Sequence, residues 1–417
     1  MGFLFIISAA IAFLYYILGE QVAYWYRHVI ALIWIIGCFG PIILINKKIK
    51  GRDAFYIQTY VYPILLVALW TLIVWCINPN LEVNKSYFTR MIGCIIYIST
   101  PILLAMVGAR LFGKKIIKYS VIAMAISVGI NFICTIKMYG MGVFIQYLPY
   151  AMTSTDLPYG SLLWNFASAL EVQDVTMATG FYLIYFIFID DEEPMKERIL
   201  YIGLLFICAI LGFKRTQLLA LLLASSVVIV AKKCPISLRY IIKIIGVIIL
   251  IISCIYIVIV KIDLFSYIVK ELKVDVTGRN VIYDELKNYY ELSPFFIGNG
   301  FTYVDKRMFD TTGFCTHSII IRLYAELGCI PFIIWMYWYL IGVPKKIYRT
   351  FGKKVGLVAM GCTLYIIITY FMENTLNLFC MQYSFVVITI AISKFTNERK
   401  HDIVSTSKNC SLRSENN

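Results

Sequence analysis

One histidine stands where a long polar stretch runs into an apolar segment. His317 is one of only three histidines in the chain, and it follows the stretch 261–316, the longest polar interruption of an otherwise apolar sequence. An imidazole titrates near neutral pH and can take a proton from a hydroxyl group as a general base. A histidine at such a border also caps helices or bonds lipid headgroups, so both interpretations stay open.

Three basic residues are candidates for contacts with phosphate. Lys214 and Arg215 are adjacent between two short apolar segments, and Arg279 lies inside the polar stretch. An arginine guanidinium binds phosphate through two hydrogen bonds, and lysine adds a point charge. Since ionisable residues near the bilayer are usually functional, we predict that these three bind an anion such as pyrophosphate. The alternatives are snorkelling of Lys214 and Arg215 to lipid headgroups, and simple solvation of Arg279.

Two acidic residues lie at the start of the apolar segment 171–189. Glu171 and Asp174 are three positions apart and therefore share one helical face. At a helix N-terminus their charge is favourable, which would be a purely stabilising role. Alternatively, one of them binds sugar hydroxyls or pairs with Arg279 or Arg215.

Four more polar residues lie near the predicted membrane boundary. Arg322 and Glu326 occupy positions i and i+4 of an apolar segment, where they can pair and neutralise each other. Glu373 and Asn374 form a short polar connection between the last two apolar segments. They either bind sugar or simply make a turn.

The composition is that of a polytopic membrane protein. Hydrophobic residues make up 60% of the 417 positions and charged residues only 15%, and the mean hydropathy is +0.79. No water-soluble chain of this length would place so few charges on its surface. The net charge of +14 lies mainly in short connections beside apolar segments. It indicates anionic lipid headgroups as partners, and no nucleic acid.

The cysteines and the N-terminus predict no additional functional site. The 12 cysteines are scattered through apolar segments without C-x-x-C pairs, so they predict neither a disulfide framework nor a zinc site. No D-x-D motif or histidine cluster in the outer loops indicates a metal site. The first apolar segment lacks a basic leader and a small-residue cleavage site, and we expect it to be retained as a span.

Apolar runs predict an all-α fold with about 12 transmembrane helices, since a span needs about 20 apolar residues. The predicted spans are 3–18, 25–45, 54–77, 91–112, 118–137, 171–189, 199–213, 216–231, 240–260, 317–341, 355–372 and 378–394. The seventh and eighth are short and could form a hairpin or one broken helix.

Lysine and arginine in the short connections predict the orientation. Four basic connections fall on one side, together with both termini: 46–53, 110–118, 232–239 and 344–354. This side is predicted to be the cytoplasm, although the connection 190–198, which also falls there, is acidic. The predicted division is nine helices in 1–260 with a smaller outer loop at 138–170, an outer catalytic loop at 261–316, three helices in 317–394, and a cytoplasmic tail at 395–417.

Within the polar stretch, apolar residues at three-to-four spacing predict a helix over 277–290. Ser293-Pro294 should stop that helix. The following Gly298-Asn299-Gly300 permits positive φ and a close backbone approach to a ligand. The order is therefore arginine, helix, glycine turn, histidine and membrane segment.

This order resembles the characteristic region of the O-antigen polymerase (Wzy) and O-antigen ligase (WaaL) families. The matching elements are Gly278-Arg279, Ser293-Pro294, Gly298-Asn299-Gly300, His317 and Glu326-Leu327-Gly328. One departure is Ser318, because the families usually have asparagine after the histidine. Basic residues like Lys214-Arg215 and an acidic segment like Glu171 to Asp174 are also found in polymerases.

The resemblance implies a metal-independent membrane glycosyltransferase of the GT-C kind, without cofactors, in the bacterial cytoplasmic membrane. It would transfer a growing O-antigen, capsule or exopolysaccharide glycan from polyprenyl pyrophosphate to a lipid-linked repeat unit on the outer face. Its partners would be this lipid-linked oligosaccharide, membrane lipids, a chain-length regulator and a flippase. By the resemblance, His317 is the base, and Arg279, Arg215 and Lys214 stabilise the leaving pyrophosphate.

Two other functions stay open. A ligase-type transferase differs in its acceptor. A flippase for lipid-linked oligosaccharides, or another transporter, would also have about twelve spans, but transporters tend to have internal repeats and short loops. The chain has no detectable repeat and has one long outer loop, which favours an enzyme.

Overall fold

The computed structural model describes most of the chain. The described residues are 1–14, 16–17, 20–21, 25–46, 51–153, 161–170, 173–188, 194–212, 214–271, 279–313 and 315–393. They are almost entirely helical, as the sequence predicts. The strands among them are one short antiparallel pair, β1 (Tyr16–Ile17) and β2 (Glu20–Gln21), with Tyr16 opposite Gln21.

The helices are numbered here in chain order. They are α1 (Gly2–Phe13), α2 (Trp25–Asn46), α3 (Gly51–Ile77), α4 (Lys85–Phe112), α5 (Lys115–Tyr139), α6 (Met141–Thr153), α7 (Leu162–Leu170), α8 (Gln173–Phe188), α9 (Met195–Leu211), α10 (Arg215–Lys233), α11 (Leu238–Lys261), α12 (Leu264–Glu271), α13 (Arg279–Leu286), α14 (Tyr303–Thr312), α15 (Ile319–Leu327), α16 (329–351), α17 (Lys353–Met372) and α18 (Phe379–Ser393). Single π-helical turns interrupt α3 at Ile57–Val61 and α16 at Trp338–Gly342. Turns of 3-10 helix follow α13 at Lys287–Tyr289 and α17 at Thr375–Asn377.

Six of the described helices are long and apolar enough to cross a membrane, by length and composition. They are α3, α4, α5, α11, α17 and Thr216–Lys233 within α10, and the shorter apolar helices α1, α8 and α18 accompany them. Large aliphatic side chains point outward from these helices, as with Leu222 and Ile251, which are 65% and 53% exposed. Exposed apolar faces of this extent are typical of contact with lipid. The protein is therefore an all-α membrane protein.

Each predicted span overlaps at least one helix. Long apolar runs predict helices well, because the backbone polar groups of a segment inside a membrane must form hydrogen bonds within that segment. The tenth predicted span, 317–341, is wrong in one respect, because it is not one continuous helix. The run is divided at Gly328 into α15 and α16, and α16 continues to Phe351, so much of the basic connection 344–354 is helical.

The stretches predicted as outer loops also contain helices. The stretch 261–316 carries α12, α13 and α14, and the smaller one at 138–170 carries α6 and α7. The predicted helix 277–290 is found as α13 with its 3-10 extension. It ends at Tyr289, before the Ser293-Pro294 pair.

The helix bundle has two chemically different ends. At one end, the basic connections meet acidic side chains. Arg110 forms an ion pair with Asp53, and Lys118 Nζ lies 2.8 Å from Glu197 Oε2. The opposite end, called the site end below, holds the start of α4, the end of α17 and the segment between α11 and α15. The described candidate residues all lie at the site end.

Candidate functional site

A buried ion cluster lies where the broken tenth segment begins. Arg322 of α15 is fully buried, and its Nε lies 3.2 Å from Glu326 Oε2, one turn further along the helix. Its Nη1 lies 3.5 Å from Asp305 Oδ1 of α14. The predicted pairing of Arg322 with Glu326 is confirmed. Asp305 is a second acidic partner that sequence reasoning missed.

Asp305 also connects the cluster to α4. Its Oδ2 lies 3.0 Å from Arg90 Nη2, so two guanidinium groups face two carboxylates. Burial alone would raise the pKa of the Asp305 carboxyl, but Arg322 and Arg90 outweigh that effect and hold the pKa below its usual value. Arg90 stands in the second turn of an apolar helix, where arginine usually has a specific partner. That position is the one sequence feature that could have indicated the larger cluster.

The start of α14 contributes backbone groups to the cluster. The N–H groups of Thr302 and Asp305 hydrogen-bond the Glu326 carboxylate, and Asp305 N lies 3.2 Å from Oε1. Free N–H groups at the start of a helix favour an anion, and here the anion is a side chain of the protein. Thr302 has φ 71°, a left-handed conformation that is costly for a β-branched residue. The contact with Glu326 is therefore made under backbone strain.

The turn after α17 links the cluster to the start of α10. Asn374 Oδ1 accepts a hydrogen bond from Arg322 Nη1 at 3.4 Å. The neighbouring Glu373 is buried, and its Oε1 accepts a bond from Thr216 Oγ1 at 3.4 Å. Thr216 directly follows Arg215, so this turn brings the predicted phosphate-binding segment to the cluster.

A second link leads to the predicted base. Thr316 Oγ1 donates to Asp305 Oδ1 at 3.2 Å, and His317 follows it as a half-buried residue. Ser318, which departs from the family pattern, caps α15 by accepting a hydrogen bond from Ile321 N at 3.4 Å. The serine therefore has a local structural role.

One guanidinium nitrogen of the cluster makes no hydrogen bond to any described residue. Arg322 Nη2 is buried, whereas Nε and Nη1 of the same side chain are bonded. Leaving a buried polar group unsatisfied costs about 1 to 3 kcal/mol, and more for a charged group. Such groups are therefore rare. This N–H is a suitable donor for an oxygen of an anion or a sugar.

The glycine turn 298–300 crosses the break between α15 and α16. A Cβ at Gly298 would lie 2.5 Å from the Glu326 carbonyl oxygen, and a Cβ at Gly328 would lie 2.4 Å from the Phe296 carbonyl oxygen. Both glycines have φ 83°, which a side chain would strain. A close backbone approach is confirmed, and the expectation of a ligand contact there stays a prediction. The backbone that approaches is the protein's own.

This crossing satisfies polar groups that the break exposes. Gly300 N donates to Glu326 O at 2.8 Å, and Cys329 N donates to Phe296 O at 2.8 Å. An irregular backbone at membrane depth is tolerated where it is buried in protein and bonded in this way.

Two tryptophans of α3 complete the crossing. Trp70 Nε1 donates to Leu327 O, and Trp75 Nε1 donates to Asn299 O, both at 2.9 Å. The glycine turn and the helix break are thereby both tied to α3.

Asp174 belongs to a different buried pair. Its Oδ2 lies 2.9 Å from Arg27 Nη1 of α2, and its Oδ1 accepts a 2.8 Å bond from Cys380 N in the first turn of α18. Its partner is therefore Arg27, in place of the expected Arg279 or Arg215. Both carboxylate oxygens serve the packing of helices.

The side chains of Glu171, Arg215 and Arg279 lie outside the described residues. The backbone of Arg215 starts α10, and that of Arg279 starts α13. Lys214 is half-buried and directly precedes α10.

Helix α13 is linked to the end of α17 through Tyr256 of α11. Tyr283 Oη lies 2.9 Å from Tyr256 Oη, which donates to Phe371 O at 3.2 Å. Phe371 is two residues before Glu373. Arg279 lies one helical turn before Tyr283, a rise of about 6 Å. The backbone therefore places Arg279 at the site end.

Comparison with known proteins leaves the family open. No protein-family model matches the sequence. No curated protein is significantly similar to it. The resemblance to the polymerase and ligase families therefore rests on the order of the motifs.

The arrangement suits a ligand rich in oxygen atoms. Within the described part of the chain, no three His, Cys, Asp or Glu side chains are grouped so as to hold a metal ion. Arg322 Nη2 and the segment around Lys214 offer donors at the site end.

Proposed function

We propose that the protein is a polysaccharide polymerase of the bacterial cytoplasmic membrane. It transfers a growing glycan from polyprenyl pyrophosphate to a lipid-linked repeat unit. The observation that supports this most is the set of hydrogen bonds that joins the neighbours of Arg215 and His317 to one ion cluster. Thr216 and Thr316, the neighbours of Arg215 and His317, are distant in sequence, and both bond to residues at one end of an apolar bundle.

The proposed topology has about twelve spans of the GT-C kind, with α15 and α16 together as the tenth. The basic end faces the cytoplasm because positively charged connections stay on that side. Both termini then lie in the cytoplasm, and the site end faces outward.

The reaction needs a base and a stabilised leaving group. The acceptor hydroxyl oxygen bonds to the anomeric carbon, the bond from that carbon to the pyrophosphate breaks, and the hydroxyl proton passes to His317. Lys214, Arg215 and Arg279 balance the charge that grows on the departing pyrophosphate. In this proposal, their charges supply the stabilisation that the metal-independent reaction requires.

The ion cluster and the turn after α17 position the neighbours of His317 and Arg215. Arg322 is fixed by Glu326 and Asp305 and in turn orients Asn374. Asp305 also holds Thr316, the residue before His317. The turn after α17 then presents polar groups to the sugar. A ligase-type enzyme would share this chemistry with a different acceptor, and the Lys214-Arg215 pair favours the polymerase.

The test is polymer synthesis from purified lipid-linked repeat units by the purified full-length protein. We expect glycan chains longer than one repeat. A deletion strain should then carry single repeat units on its surface. Repeat units that stay inside the cell would identify a flippase, and polymer made normally without the protein would overturn the proposal.

The orientation has its own test in a cysteine-depleted protein. Lys306→Cys on α14 should react with a membrane-impermeant thiol reagent in intact cells. The matched variant Arg349→Cys on α16 should react only after permeabilisation. The reverse pattern would place the site end in the cytoplasm and remove the proposed reaction.

A further inference from the structure

A groove lined almost entirely by carbon runs along the outside of the bundle. It lies between α3 and α16 and has a volume of about 740 Å³. Trp70, Trp335 and Trp338 line it, and α3 borders it from Gln58 to Trp70, a length of about 18 Å at 1.5 Å per residue. Its shape fits an extended hydrocarbon chain.

A polar pocket of about 510 Å³ opens beside the groove. Its polar lining includes Asn78, Asn288, Tyr289, Glu291, Tyr303 and Arg307. Amides and phenols both donate and accept hydrogen bonds, and among these six side chains one carboxylate is matched by one guanidinium. A pocket for a phosphate would carry an excess of basic groups. A balanced set of donors and acceptors suits an uncharged group with many hydroxyls.

The groove and the pocket meet at one short segment. Phe295, Phe296 and Ile297 line both of them. Phe295 is 87% exposed, which is unusual for a large apolar side chain unless it contacts a ligand or lipid. The two cavities therefore form one continuous surface, apolar at one end and polar at the other.

This surface is separate from the ion cluster. Tyr303 and Arg307 reach the pocket from one face of α14. Asp305, between them in sequence, is buried on another face of that helix against Arg322 and Arg90. Helix α14 thus stands between the two sites.

We propose that the groove and the pocket together bind a membrane lipid with a saccharide headgroup. The hydrocarbon chain lies in the groove, Phe295 covers the junction, and the sugars occupy the pocket. The assignment depends on these cavities and not on the proposed reaction.

The experiment measures lipid retained by the detergent-purified full-length protein, using native mass spectrometry. The probes are a diglycosyl diacylglycerol and a phosphatidylcholine with the same acyl chains, in equal amounts. Wild-type protein should retain the glycolipid several-fold better. Equal retention of the two lipids would overturn the proposal.

Two variants test separately the binding of the hydrocarbon chain and of the saccharide headgroup. Ile334 lines the groove and is 62% exposed, so Ile334→Trp fills the groove without disturbing the core and should lower retention of both lipids. Glu291→Ala should lower the preference for the glycolipid about fivefold, the effect of losing one hydrogen bond.

Each variant has a matched control. Ile251→Trp adds the same bulk on the lipid-facing side of α11, and Asp284→Ala removes an exposed carboxylate outside the pocket. Both controls should bind like wild type. A variant that behaves like its control would also contradict the proposal. Because binding is measured without catalysis, a failed polymerisation assay with normal glycolipid binding would remove the polymerase and leave this site standing.

Discussion

Two buried ion pairs at the same end of the bundle differ in how completely they are satisfied. In the first, Arg27 bonds Asp174 and donates to the carbonyl of Leu14, while Asp174 also accepts a bond from Cys380 N. These contacts join the ends of α1, α2, α8 and α18. We call this pair the closed joint.

The second pair is the ion cluster. Arg322 bonds Glu326, Asp305 and Asn374, yet its Nη2 finds no hydrogen-bond partner among the described residues. Buried charges are costly unless their hydrogen-bonding groups are matched. A complete set of partners is typical of a structural joint, whereas a buried donor left without a partner is rare and calls for a further explanation, such as a ligand.

Substituting the histidine near each pair should give the largest difference in polymerisation rate. His317→Ala beside the ion cluster should lower the polymerisation rate about 10²- to 10⁴-fold, because the base is lost. His28 lies next to Arg27 and bonds Thr100 Oγ1 at 2.5 Å. His28→Asn should change the amount of folded protein and leave the rate per folded molecule intact. Full activity of His317→Ala, normalised to folded enzyme, would remove the histidine from the mechanism.

Double substitutions should sharpen the contrast further. Asp174→Ala should lower the free energy of unfolding by about 3 to 5 kcal/mol, because it leaves the buried Arg27 without its acidic partner. Replacing both Arg27 by Met and Asp174 by Leu should restore folding and activity together. The matching double change, Arg322 to Met with Glu326 to Leu, should restore the folded amount but not the rate. Thermal unfolding and polymer synthesis are the two readouts, and wild-type activity in the second variant would make the cluster purely structural.

The pH dependence of stability should depend on Asp305. The pKa of its carboxyl is lower in the folded protein than in the unfolded chain. The ionised carboxylate therefore stabilises the fold fully above about pH 4, which is the pKa of an aspartate in an unfolded chain. That stabilisation is lost as pH falls through the folded pKa. Asp305→Asn should be less stable by about 3 kcal/mol at pH 7, and the gap should close in acid. The control is Asp310→Asn, an exposed position on the same helix, whose thermal unfolding should match wild type at every pH. A stability difference between Asp305→Asn and wild type that stays constant with pH would contradict the pairing.

The smallest effect concerns Arg215. Lysine cannot reproduce the two-pronged hydrogen bond of arginine to phosphate, so Arg215→Lys should lower the rate about tenfold, or about 1.4 kcal/mol. Arg110→Lys at the basic end makes the same exchange away from the site and should have no effect on polymer length. If both variants behave alike, Arg215 is a membrane anchor and the pyrophosphate contact passes to Arg279.

Features with local causes could be predicted from the sequence. Apolar runs predict the helices, and the pairing of Arg322 with Glu326 follows from one helical turn. The partners of Asp305 and Asp174 could not be predicted in this way. Arg90 is 215 residues from Asp305, and Arg27 is 147 residues from Asp174. Only the packing of helices brings such residues together.

The helix break at Gly328 escaped prediction for a related reason. The residues on both sides are apolar, so hydropathy continues across it. The break depends on the glycine turn 298–300 lying against it, a contact between two segments that show no common pattern. The glycines themselves were recognisable, but what they approach was not.

The bonds from Trp70 and Trp75 also set an order of assembly. Trp70 and its acceptor Leu327 are 257 residues apart. At synthesis rates of about 5 to 20 residues per second, roughly 13 to 50 s separate their appearance. During this interval α3 stands in the membrane before the acceptors of its indole N–H groups exist, and the membrane–water interface is where indoles are tolerated. The last third of the chain therefore completes the fold by docking onto a helix inserted early, so a fault in α3 would become apparent only late in biogenesis.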